Sequence, residues 1–171
     1  MMSTLLLNAM RWAVECGAIS TEDVTAWADR QIVAIAKPEA WLFDLSLAKD
    51  LNQLLMQLNA VAEYSDKILV ARQAFALFRD GINAGKTSYA AVTRTLYRMA
   101  FADYVPHADA VSTMMILADE LEDARLGIYG DVVTVKADCL ALLDRYQSDV
   151  GQYFKSPASP AFTEASDVFR L

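Results

Sequence analysis

Two cysteines, one histidine, four prolines and six glycines in 171 residues leave little room for several kinds of chemistry. Cys16 and Cys139 lie far apart, each inside an apolar helical pattern, so neither a disulfide framework nor a cysteine-rich metal site is indicated. They read as buried free thiols of a cytoplasmic protein. With His107 alone, the chain cannot supply the two Glu-x-x-His units of a carboxylate-bridged di-iron bundle, although a magnesium site built only of carboxylates survives this test. No serine or cysteine joins His107 in a nucleophile motif, and its place after Pro106 suits a surface or capping role in a first helical turn. Uncharged apolar runs such as Leu5 to Leu7 or Ile68 to Ala71 fall far short of the roughly 20 residues that cross a membrane. The start, MMSTLLLNAMRW, has no basic residue before its apolar triplet and reaches Arg11 early, which fits a helix of the fold better than a secretory leader.

Basic residues are also in deficit. Twenty-two carboxylates stand against 15 Lys and Arg, a net charge of −7 shared by both halves of the chain. One local imbalance stands out. No Lys or Arg occurs between Arg98 and Arg125, while Asp103, Asp109, Asp119, Glu120, Glu122 and Asp123 all fall there. Such a surface repels nucleic acid, which is bound mainly by neutralising phosphates, and attracts a basic protein.

What the chain does have is apolar content, 55% of its residues, with 22% charged and a positive mean hydropathy of +0.21. That is enough to fill one core and to exclude disorder over most of the length. One domain is expected over residues 1–153, with a loosely ordered tail over 154–171. Apolar residues recur at helical spacing throughout, and Gly17, Gly85, Gly127 and Gly151 close the periodic segments, with Gly81 and Gly130 near other closures. The segments run from Ser3 to Cys16, from Ser20 (with Asp23 completing a capping box) to Ile35, and from Pro38 onward. Others follow from Leu51, from Ser65 to about Ala84, from Ser88 to near Tyr104, from Pro106 to Gly127, and from about Asp131 to Val150. Only Asp131-Val-Val-Thr-Val competes as a strand, and one strand makes no sheet. The expectation is an all-α protein, a compact single-domain bundle of about seven helices.

The stretch KPEAWLFDLSLAKD, Lys37 to Asp50, raises the sharpest local question. A helix begun at Pro38 places Asp44 between the line of Trp41, Leu45 and Ala48 and the line of Leu47 and Leu51, an apolar sector where a bare carboxylate costs several kcal/mol. Asp44 should therefore be paired with a base, hydrogen-bonded, or the cap of a fresh turn. Trp27 and Trp41, each in an Ala-Trp with an acid shortly after, read as a pair locking adjacent helices; Trp12 and the Met114-Met115 pair read as packed interior. The GINAGKT stretch, Gly81 to Thr87, contains Gly-Lys-Thr but has three residues between its glycines and a helical run before it, so it reads as a helix end and not a phosphate loop. Asp119, Glu122 and Asp123 share one helix face, either as a solvated face or as a carboxylate metal site.

The pattern W-A-D-x-x-I followed by P-x-x-W-L-x-D-L-S, within Trp27 to Ser46, resembles a segment of small bacterial all-helical proteins, some of which look like toxin immunity proteins. The resemblance implies no catalytic residue and no cofactor. With the acidic window it leads to the expectation of a protein-binding module that neutralises a cognate toxin through an acidic helical surface. The alternatives are a small-molecule or metal binder using a carboxylate-lined pocket, with Asp119, Glu122 and Asp123 or Asp29 and Asp44 as working groups, and a self-associating structural protein.

Overall fold

A computed structural model of the chain describes residues 2–61 and 65–148. Eight α-helices, where about seven were expected, and no strand occur among the described residues. The tail expected over 154–171 and the glycine at 151 lie outside them. No helix among the described residues is long and apolar enough to cross a membrane.

The centre is a pair of helices, α1 (Met2–Glu15) and α5 (Lys67–Asn83), packed directly against each other. On α5, Val70, Ala71, Ala74, Phe75, Leu77, Phe78 and Gly81 are buried, and the Phe75 and Phe78 rings lie 6.4 Å apart. On α1, Leu7, Met10 and Ala13 are fully buried. Each large apolar side chain removed from water contributes about 1.5–3 kcal/mol, so this central pair supplies much of the driving force for folding. To one side α4 (Leu51–Val61) packs on α1 and carries α3 (Ala40–Ser46), which in turn packs on α2 (Thr21–Ala34). To the other side α8 (Val132–Tyr146) packs on α5, followed outward by α7 (Ala110–Leu126) and α6 (Tyr89–Phe101).

The helix starts follow local chemistry. Ser20 and Asp23 form the expected capping box on α2, and Asp66, Ser88 and Asp131 accept backbone N–H groups at the starts of α5, α6 and α8. The β-branched run after Asp131 is thus the first turn of a helix, because the cap outweighs the strand preference of a few residues. Burial acts to raise the Asp23 carboxyl, but the Lys86 ammonium at 2.8 Å and the Ser20 N–H at 2.8 Å outweigh it and hold the group below its ordinary range.

Gly81 lies near a helix end, as expected, inside the last turn of α5, where a Cβ would meet the Cα and Cβ of Ala18 at 2.7 Å. Two local expectations are corrected. Pro106 does not open α7, which begins at Ala110 after an irregular stretch. Met115 is exposed, while its neighbour Met114 is fully buried, because α7 buries only the narrow stripe Ala110, Met114, Leu117 and Leu121.

Asp44 is corrected as well. Helix α3 starts at Ala40, has Glu39 and not Asp44 as its cap residue, and buries only Leu42 and Leu45. At 3.6 residues per turn Asp44 stands about 200° from Leu42, and it is exposed. Asp29 of α2 accepts the Ser46 hydroxyl and ties α2 to the end of α3. Asp44→Asn is therefore expected to change stability by less than about 0.5 kcal/mol in urea denaturation, whereas a capping or buried paired role would cost several times that.

Candidate functional site

The six acids between Asp103 and Asp123 do not form one cluster. Asp103 and Asp109 belong to the turn between α6 and α7, whereas Asp119, Glu120, Glu122 and Asp123 lie in the last two turns of α7. At 1.5 Å rise per residue Asp109 and Asp119 are separated by about 15 Å along the α7 axis. Asp103 occupies the left-handed region at φ 63° and its carboxylate lies 3.8 Å from Lys67 Nζ, which also donates to the Ala102 carbonyl at 2.8 Å. Asp109 donates its backbone N–H to His107 Nδ1 at 3.3 Å, and the imidazole stacks on Tyr146 with 6.1 Å between ring centres. His107 is thereby held at the surface beside an acid, outside any first turn of a helix.

Asp119 and Glu122 line a groove of about 510 Å³ between α6 and α7. The facing wall is contributed by Thr93, Arg94, Tyr97 and Arg98 of α6, and the floor by Ala90, Ala118 and Leu121. Glu120 and Asp123 flank this groove on α7 without lining it. The stretch that is free of bases in the sequence is thus not free of them in space. Arg98 is engaged with Glu15 at 2.8 Å and lies 5.6 Å from the Trp12 ring centre. Arg94, Asp119 and Glu122 make no ion pair within 4 Å among the described residues, so three charges of both signs are left for a guest.

The groove continues past Tyr97 and Arg98 into a shallow depression lined by Trp12, Phe101 and Ala102. There the Phe101 ring, 72% exposed, lies 5.7 Å from the Tyr97 ring. The α6 residues Arg94, Tyr97, Arg98 and Phe101 were not singled out in the sequence. Their signal was present as two i, i+4 pairs on the side of the helix opposite Val92, Leu96 and Met99. Nothing in the sequence said which helix that side would face.

Among the described residues no three His, Cys, Asp or Glu side chains converge as a metal-binding group, so Asp119, Glu122 and Asp123 share a face without forming a cage. Both cysteines are buried, and desolvation drives their thiols up, to about 11 for Cys16 and about 12 for Cys139, leaving them protonated and unreactive near neutral pH. Trp27 is buried in the core and Trp41 is half-buried, with its indole N–H donating to Glu39 Oε2 at 2.8 Å. Asp44 makes no contribution to the groove. No protein-family model, curated protein or solved structure matches this chain.

Proposed function

We propose that the protein is a protein-binding module, and specifically a cytoplasmic immunity protein that holds a cognate toxin through the α6–α7 face. The observation that carries this reading is the α6–α7 groove, in which the uncommitted carboxylates of Asp119 and Glu122 lie beside the exposed aromatic pair Tyr97 and Phe101. Aromatic anchors with charged residues around them are the usual anatomy of a protein interface, the anchors slowing dissociation and the charges steering approach. The net charge of −7 favours a basic protein over nucleic acid as the partner, and the resemblance of the Trp27 to Ser46 segment to immunity proteins supplies the toxin.

The first test is whether a toxin gene lies next door and whether its product co-purifies in stoichiometric amount from the native host. Given that pair, the double variant Asp119→Lys/Glu122→Lys is expected to slow association about tenfold at low salt and to flatten its salt dependence. Phe101→Ala is expected to raise the dissociation rate instead. Unchanged rates in all these variants would place the interface elsewhere, and the absence of both toxin gene and stoichiometric partner would remove the reading.

A further inference from the structure

The α6–α7 groove holds charges of opposite sign on opposite walls. Arg94 and Arg98, four residues apart and so on one side of α6, line one wall, and Asp119 and Glu122, three residues apart on α7, line the other. Arg94, Asp119 and Glu122 are exposed, and none of the three forms an ion pair within 4 Å among the described residues. The groove is open because the residues at its base are short: Ala90 and Thr93 of α6 and Ala118 of α7 leave the space that longer side chains would fill. Thr93 is 1% exposed and donates its hydroxyl proton to the Ala90 carbonyl at 3.3 Å, so its oxygen keeps lone pairs that can accept from a guest. Arg98 is held in place by Glu15, whose Oε2 lies 2.8 Å from Nη1, and most of its five N–H donors remain for another acceptor.

The two walls together restrict what can fill the groove. A metal cation satisfies Asp119 and Glu122 but is repelled by the arginines; a phosphate meets the reverse. A neutral guest strips water from both walls and returns no charge to either. A molecule carrying a carboxylate at one end and an ammonium at the other satisfies both walls at once, and the planar arginine fork matches a carboxylate in particular. Tyr97 lines both this groove and the adjoining depression, and the Phe101 ring lies 5.7 Å from it, so apolar surface is available beside Arg98 for a side chain of the guest. The volume, about 510 Å³, falls in the range of small-molecule sites, about 300–1,000 Å³.

We propose that the α6–α7 groove binds a short free peptide in its zwitterionic form, with the carboxylate held by Arg94 and Arg98, the ammonium by Asp119 and Glu122, and an aromatic C-terminal side chain lying on Tyr97 and Phe101. The groove is the one assigned to the toxin, but the peptide is titrated with no toxin present, so either reading can fail without the other.

Isothermal titration calorimetry of the full chain with the dipeptide alanyl-phenylalanine tests it. Saturable binding of one dipeptide per chain is expected, about tenfold weaker for the N-acetylated dipeptide and about tenfold weaker for its C-terminal amide. Arg94→Gln is expected to weaken the free dipeptide about tenfold and to make amidation cost little more, while acetylation still costs its full factor; Glu122→Gln is expected to do the converse. Both side chains are exposed, so both variants are expected to keep the wild-type circular dichroism and thermal midpoint. No saturable binding at millimolar dipeptide overturns the proposal. An N-acetylated dipeptide bound as tightly as the free one would mean that the groove reads the end of a protein chain, and overturns it too. So does a loss in either variant that is the same for the free, acetylated and amidated forms.

Discussion

Replacing Gly81 with alanine is expected to destabilise the protein by about 3 kcal/mol, lowering the urea midpoint without changing the slope. The sign is the informative part. Within a helix, Gly→Ala ordinarily stabilises by about 0.5–1 kcal/mol, because alanine loses less backbone freedom on folding. Gly81 lies inside α5, so propensity alone predicts a gain. Packing predicts the reverse. The new methyl carbon would lie 2.7 Å from Ala18 Cα and Cβ and 2.9 Å from the Ala18 carbonyl oxygen, well inside contact distance. Those atoms have little freedom to retreat, since the Ala18 N–H is bonded to the Ala13 carbonyl at 2.8 Å and the Thr87 hydroxyl holds the Cys16 carbonyl. On the α5 side, the Gly81 carbonyl itself accepts the Lys86 N–H at 2.9 Å, so the helix end cannot slide outward without breaking that bond. A stabilised or unchanged Gly81→Ala variant would show that the approach of α5 to the turn after α1 is looser than described.

Trp27→Ala is expected to cost about 3–5 kcal/mol, and Trp41→Ala about 1 kcal/mol. The two tryptophans look equivalent in the sequence, each following an alanine and preceding an acid. They are not equivalent in the fold. Trp27 is 2% exposed among the core side chains of α2, where truncation leaves a cavity that the surrounding helices cannot fill. Trp41 is half-buried on a helix of seven residues, and its indole N–H is satisfied by Glu39 at the protein surface, where water can take over that bond. Equal losses for the two variants, read as the change in unfolding free energy from urea titration, would mean that Trp41 is held far more deeply than its exposure indicates.

The legible part of the fold was the part set by nearest neighbours along the chain. The capping box of Ser20 and Asp23, the Ser88 start of α6, and the glycine closures at Gly17, Gly85 and Gly127 depend on side chains within a few residues of the groups they satisfy, and they occur where expected. Asp44 faces solvent because its apolar neighbours in the sequence are not all interior. In the fold Phe43 and Leu47 are exposed, 44% and 73%, so the hydrophobic run had no single inward side for the acid to share. Met115 was misplaced for the same reason: an apolar pair on a helix does not say how wide a stripe the neighbouring helices will cover.

Sequence alone thus determined that this chain is all-helical, roughly where each helix starts and stops, and that its cysteines are interior, since periodicity and capping act over one or two turns. Only the tertiary structure decided that Arg94 and Arg98 stand across a groove from Asp119 and Glu122, that Ala18 leaves no room beside Gly81, and that the apolar turn at Ile128 and Tyr129 stays uncovered. Each of these depends on which helices pack together and at what distance, and that is set by the fit of whole side-chain surfaces from segments far apart in the chain.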